Sequence, residues 1–223
     1  MSSPNLYQEL HVLFNTLPRL SFPYVKIDDN GVYVMFQKGE KYKGMNRIVR
    51  IGSHTHPNRL KFRLNEHFVL HRRSVFRKHI GRCFLVKEKR EDYLPIWNCN
   101  TITKEERAFN LPRIDWALEK GLEGRITSYL RENFSFVLIP GLTDTDKRCR
   151  LEKGLIATLA QSADRCYSKE WLGKWHFNQK IPKSCLWNVN HIGDKPLSQQ
   201  ELLELQGYLS QQIAAKTNRP PFS

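Results

Sequence analysis

Apolar residues recur along this chain with two different periods. Leu6, Leu10, Val12, Leu13 and Phe14 fall near helical spacing and Pro18 closes the run, which predicts a short amphipathic helix over 5–14. Asp28-Asp29-Asn30-Gly31 is a turn signal. The β-branched and aromatic run Val32-Tyr33-Val34-Met35-Phe36 that follows predicts a strand. A polar loop over 38–44 and a second strand over 47–51 complete an antiparallel pair. The most legible helix begins near Pro57, a residue suited to a first helical position. Leu60, Leu64 and Phe68 form one row along it, and Arg59, Arg63 and His67 form a second row on the adjacent face.

Residues 75–86, with Val75, Phe76, Ile80, Phe84 and Leu85, predict another basic amphipathic helix. The stretch 87–112 carries the weakest pattern and reads as a loop or insertion. Residues 113–132 are helical in composition but interrupted by Gly121 and Gly124. A short buried strand is predicted over 134–139, then a helix over 143–162 with Leu151, Leu155, Ile156 and Leu159 inward. Residues 164–195 are aromatic and irregular, and Trp171, Trp175 and Trp187 read as core packing. A last helix over 196–216 starts at Ser198 and Glu201, spaced as a capping box. With no internal repeat and no clear linker, 1–223 reads as a single domain. The expected fold class is α/β (α+β): a small, mostly antiparallel, three-stranded central sheet flanked by helices.

Composition narrows the picture. At 40% hydrophobic the chain is too apolar for disorder. Its five cysteines are odd in number and widely spaced, which argues against a disulfide framework and a zinc ribbon. The longest apolar stretch, Phe134 to Leu142, falls far short of the roughly 20 residues a bilayer requires. Without a basic start and apolar run at residues 1–9, the expectation is a soluble, cytoplasmic protein with no membrane partner.

Charge is the sharpest signal. Thirteen of the fourteen net positive charges fall within residues 41–90, where fifteen Lys and Arg face only Glu66 and Glu88. Such a block attracts a polyanion, and a phosphate backbone is the usual one. Arg59, Lys61, Arg72, Arg73, Arg77 and Lys78 are the candidate backbone contacts.

Within and beside this block stand Gly31-Val32-Tyr33, then Arg50-Ile51-Gly52, then Arg63 followed four residues later by His67. That order resembles the GIY-YIG nuclease superfamily, with Glu152 placed to match the acid on the helix after the third strand. The resemblance covers a core of about 31–160, leaving 164–223 as an extension packed on it. The runs 47–54 (RIVRIGSH) and 74–81 (SVFRKHIG) resemble a bacterial, restriction-endonuclease-like branch. The resemblance implies metal-dependent hydrolysis of DNA phosphodiesters, with Tyr33 as general base. A free phenol titrates near about 10, so positive charge from Arg50, Arg63 or a metal would have to favour its ionised form. Arg63 would grip the scissile phosphate with its planar fork, His67 would assist proton movement or hold the phosphate, and Glu152 would ligate one Mg²⁺ or Mn²⁺.

Arg50 stands where the family has its second tyrosine, and no asparagine follows Glu152 within residues 153–170. Read without the resemblance, Glu152 could equally pair with Arg148, and His54-Thr55-His56 reads as loop, with no acid or cysteine beside it to complete a metal site. Double-stranded DNA is the expected partner, and a homodimer on DNA is left open. The alternatives are a catalytically inactive basic DNA-binding module of the same fold, or a nuclease acting on RNA or on branched DNA.

Overall fold

A computed structural model of the chain describes residues 5–24, 27–69 and 74–217. Its centre is a four-stranded, fully antiparallel sheet in the order β1-β4-β2-β3. The strands are β1 (Leu20–Ser21), β2 (Gly31–Tyr42), β3 (Met45–Gly52) and β4 (Phe134–Pro140). Three of the four were expected; β1 has two residues, too few to leave a periodic trace. The loop expected over 38–44 is instead an extension of the β2–β3 hairpin. It closes at Lys43-Gly44, both at positive φ (46° and 81°), so the two-residue turn follows the right-handed strand twist.

The helices are α1 (Leu6–Thr16), α2 (Leu60–Phe68), α3 (Val75–Lys87), α4 (Leu94–Asn98), α5 (Lys104–Asn110), α6 (Trp116–Asn133), α7 (Thr145–Gln161), α8 (Lys180–Ser184) and α9 (Gln199–Thr217). Pro57 lies in the turn before α2 rather than at its first position, with Asn58 left-handed at φ 58°. The expected insertion over 87–112 folds into short helices, α5 being started by a capping box of Thr103 and Glu106. Gly121 and Gly124 do not interrupt α6, where neither meets a neighbour that would hinder a Cβ.

β2 is buried on both faces, so its two alternating sets of side chains serve two cores. Val32, Val34 and Phe36 pack with Leu10 and Phe14 of α1, Leu155 and Leu159 of α7, and Leu202 and Leu205 of α9. Tyr33 and Met35 pack on the other face with Leu60, Leu64 and Phe68 of α2, Phe76 and Ile80 of α3, and Ile126 and Leu130 of α6. Leu151, expected inward, is only partly buried at the rim of the first core. Trp171 and Trp187 are fully buried in the second core, whereas Trp175 is 41% exposed and stands outside the expected aromatic cluster.

The 187–195 segment covers the free edge of β3. Trp187 donates its backbone N–H to Val49 O at 2.8 Å. The Asn188 amide pairs in both directions with the Ile51 backbone, at 3.1 and 2.8 Å. This satisfies groups that an open strand edge would leave unpaired. Among the described residues, no helix is long and apolar enough to cross a membrane.

Candidate active site

The sheet register sets the site. Tyr33 of β2 pairs with Gly52 of β3, and its ring lies across the glycine: a Cβ there would fall 2.2 Å from the phenol oxygen. Glycine is therefore required at the strand's end by close approach. α2 then brings His67 beneath the sheet, its Nε2 2.7 Å from the Tyr33 hydroxyl oxygen. The His67 Nδ1 lies 2.6 Å from the hydroxyl of Ser74, which also caps α3 by accepting from the Arg77 N–H. Tyr33, His67 and Ser74 are all fully buried. Burial, and then the charges of Arg50, Arg63 and Arg77, hold the His67 pKa well below its ordinary value, so the ring is neutral. With Ser74 donating to Nδ1, the Nε2–H donates to the Tyr33 oxygen; in the other tautomer Tyr33 donates to Nε2.

Arg63 joins this buried trio to open space. Its Nη1 donates to Glu66 at 2.9 Å, and it lines a cavity of about 580 Å³. Burial alone would lower the Arg63 pKa, but the adjacent Tyr33 oxygen and the Glu66 carboxylate outweigh it and raise the value. Glu152, on α7, lines the same cavity and accepts a 2.5 Å hydrogen bond from the Ser53 hydroxyl. Arg148 does not pair with Glu152. It is fully buried and donates to the carbonyls of His54, Leu142 and Thr143 and to the Thr145 hydroxyl.

The GIY-YIG domain family matches residues 15–215 of the chain. The protein belongs to the GIY-YIG family. No curated protein and no solved structure matches it. Membership implies a nuclease-family protein that binds nucleic acid, of a family that typically uses a divalent metal. The matched span also exceeds the 31–160 core and takes in most of the expected extension.

In this GIY-YIG protein the expected residues divide into three groups. Tyr33, His67 and Arg63 are together, and Glu152 faces the cavity that Arg63 lines. Arg59 also lines the cavity, its guanidinium 3.8 Å over the Phe62 ring, and Lys61 is exposed beside it on α2. Lys78 is half-buried. Arg72 and Arg73 lie outside the described residues.

Arg50 and Arg77 depart from expectation. Arg50 is buried, donates to Trp187 O at 2.9 Å and stacks 4.6 Å over the Phe76 ring, so it does not reach the cavity. It acts on the site through its charge, as one cause of the low His67 pKa. Arg77 is fully buried, binding the Glu123 carboxylate, His67 O and Thr127. An arginine so enclosed cannot touch a phosphate backbone. Both lie within the basic run, where burial leaves no local mark.

His54 keeps its loop role: Nδ1 donates to His56 O and Nε2 accepts from the Gly31 N–H, leaving neither nitrogen free. Burial first, and then the charge of Arg148, lowers its pKa. Ser53, Lys153 and His191 also line the cavity; Ser53 follows Arg50-Ile51-Gly52 and Lys153 follows Glu152, whereas His191 is far from every signature position.

Among the described residues, no group of three or more His, Cys, Asp or Glu is gathered to hold a metal. The donors in the cavity nonetheless fit a hard cation. Glu152 is bonded to a neutral hydroxyl, and Mg²⁺ accepts one protein carboxylate when phosphate oxygens and waters complete its shell. Glu152 would hold the ion, which when bound would supply positive charge to a phosphate oxygen.

Proposed function

We propose that the protein is a divalent-metal-dependent endonuclease that hydrolyses phosphodiester bonds of double-stranded DNA, in a bacterial restriction or defence role. The observation that carries this reading is the buried Tyr33–His67–Ser74 relay, joined by Arg63 to a cavity into which Glu152 faces. Water attack on phosphorus needs a base, and the Tyr33 oxygen is the candidate. In the tautomer that carries Nε2–H, His67 donates to that oxygen, and the Arg63 guanidinium beside it adds positive charge where the base must take up a proton. Tyr33 is fully buried and Arg63 is held by Glu66; in this reading a bound phosphate draws Arg63 from Glu66, gaining a bidentate partner, and the phenol opens with that movement. The restriction role rests on the resemblance of residues 47–54 and 74–81 to that branch.

The test is supercoiled plasmid with Mg²⁺. Nicking or linearisation is expected, lost with EDTA, and reduced at least about 10²-fold in Tyr33→Phe and Glu152→Gln. Parent-like cutting by those variants, folded as judged by circular dichroism, rejects the assignment. A discrete fragment pattern on a long duplex supports the restriction role, and a smear counts against it. The burial of Tyr33 favours one alternative, a DNA-binding module without hydrolysis, which predicts salt-sensitive binding and no cutting at any metal concentration.

A further inference from the structure

The cavity contains a histidine that the GIY-YIG signature does not include. His191 lines it together with Arg63 and Glu152, although it lies 39 residues beyond Glu152 in sequence. Its Nδ1 is 2.8 Å from the Asp194 carboxylate, which accepts the Nδ1–H hydrogen bond and fixes the ring, while among the described residues Nε2 has no hydrogen-bond partner. The backbone at His191 is left-handed, with φ 65°, a conformation that costs energy for a side-chain-bearing residue and tends to gather at functional sites.

The loop that bears this histidine is also held in place from both sides. Asn188 and Trp187 bind it to β3, as described above. Gln161, at the end of α7, donates to the carbonyls of Ile192 (3.1 Å) and Asp194 (2.8 Å), and Arg150 of α7 donates to Lys195 O at 3.1 Å. The loop is thus tied to the helix that carries Glu152.

Resting on the nuclease reading above, we propose that His191, oriented by Asp194, is a catalytic residue of this cleft: the acid that protonates the departing 3′ oxygen. As the water oxygen bonds to phosphorus, the P–O3′ bond breaks and its electron pair passes to O3′. The Nε2–H proton of the imidazolium moves to that oxygen, leaving neutral imidazole and a free 3′ hydroxyl. The proton lost by the attacking water goes to the Tyr33 oxygen. His191 is 34% exposed and regains its proton from solvent. The other histidines are less suited. His54 has both nitrogens engaged, His67 is sealed and neutral, and among the described residues no hydrogen bond fixes the His56 ring.

The deciding experiment compares two leaving groups on one duplex: the ordinary 3′ oxygen, and a 3′-bridging sulfur at the same bond. A thiolate leaves without protonation, because a thiol titrates near about 8.5. His191→Asn and His191→Gly both tolerate a left-handed backbone. Each is expected to lose about 10²-fold in rate on the oxygen linkage, to stay within a few-fold of the parent on the sulfur linkage, and to bind DNA as the parent does. Equal losses on both linkages, or none on either, overturn the assignment while leaving the nuclease reading intact. A parent that cleaves neither substrate overturns that reading and this one together.

Discussion

At the scale of single residues, the site depends on how closely Tyr33 crosses Gly52. In Gly52→Ala the new methyl would sit 2.2 Å from the phenol oxygen and 2.4 Å from its ring carbon, so the ring or the strand must move. The expected cost is about 1–3 kcal/mol by urea denaturation, with plasmid cleavage falling as the phenol leaves His67. Retained stability and cleavage would mean that the contact is not fixed. Ser53 acts on Glu152 in a similar indirect way. Its hydroxyl occupies one carboxylate oxygen and orients the group toward the cavity. Ser53→Ala is expected to weaken Mn²⁺ binding, read by calorimetry on the DNA complex, about 10- to 100-fold; unchanged binding would remove Ser53 from the metal's support. That Tyr33, Arg63 and His67 come together and that Glu152 faces the same cavity was legible, because a motif names residue types at known separations. Ser53, Ser74 and His191 were not, because no motif names them: Ser53 meets Glu152 across 99 positions, and His191 reaches the cavity only once its loop is tied to β3 and α7. The fate of Arg50 was equally hidden, since nothing in residues 47–52 tells that Trp187 and Phe76 enclose it.

At the scale of elements, legibility followed amphipathic period. α2 shows its buried row Leu60, Leu64 and Phe68 directly, and β2 its continuous apolar run. What misled was the use of glycine and polar residues as breakers. Lys38 to Tyr42 looked like loop, yet backbone pairing carries the hairpin on to Lys43-Gly44. In α6, Gly121 and Gly124 looked like interruptions, yet the helix is fixed by Leu122, Ile126 and Leu130 against the second core. Helical packing there outweighs a propensity deficit of about 1 kcal/mol per glycine. Gly121→Ala and Gly124→Ala should therefore each stabilise the protein by about 0.5–1 kcal/mol, read as a higher urea midpoint, since neither methyl meets an atom within 4 Å. A loss of stability in either would show that the glycine serves something beyond helix geometry.

At the scale of the whole molecule, the charge of the sequence and the charge of the surface differ. Arg47, Arg50 and Arg77 of the basic block are buried, Arg47 and Arg77 in ion pairs with Glu40 and Glu123. The surface offered to a polyanion is accordingly narrower than the sequence implied, and it includes Arg59, Lys61, Arg63 and Lys153. The interior also holds several histidines as neutral hydrogen-bonding parts, which makes the fold sensitive to acid. His11 donates from Nδ1 to Tyr7 O and accepts from the Ile48 N–H. Burial is the largest cause that lowers its pKa to about 4. His176 accepts from the Asn178 N–H, so its other nitrogen carries the proton and donates to His79 Nδ1, onto which Arg82 also donates. Two donors on that nitrogen leave no place for a second proton. Burial first, and then the charge of Arg82, lowers His176 to about 4; burial, His176, Arg82 and Arg50 lower His79 to about 2. Each group takes up a proton near 6.5 when unfolded but only at lower pH when folded, so the unfolded state binds more protons in between. The stability is therefore complete above about pH 6.5 and is lost as pH falls toward 4, with His79 extending the loss further. Urea unfolding at stepped pH should show a decline on the order of a few kcal/mol between pH 7 and 5. A flat profile across that interval would mean these rings are charged or solvated in the native state, and the tail that His176 pins to α3 would then be held by packing alone.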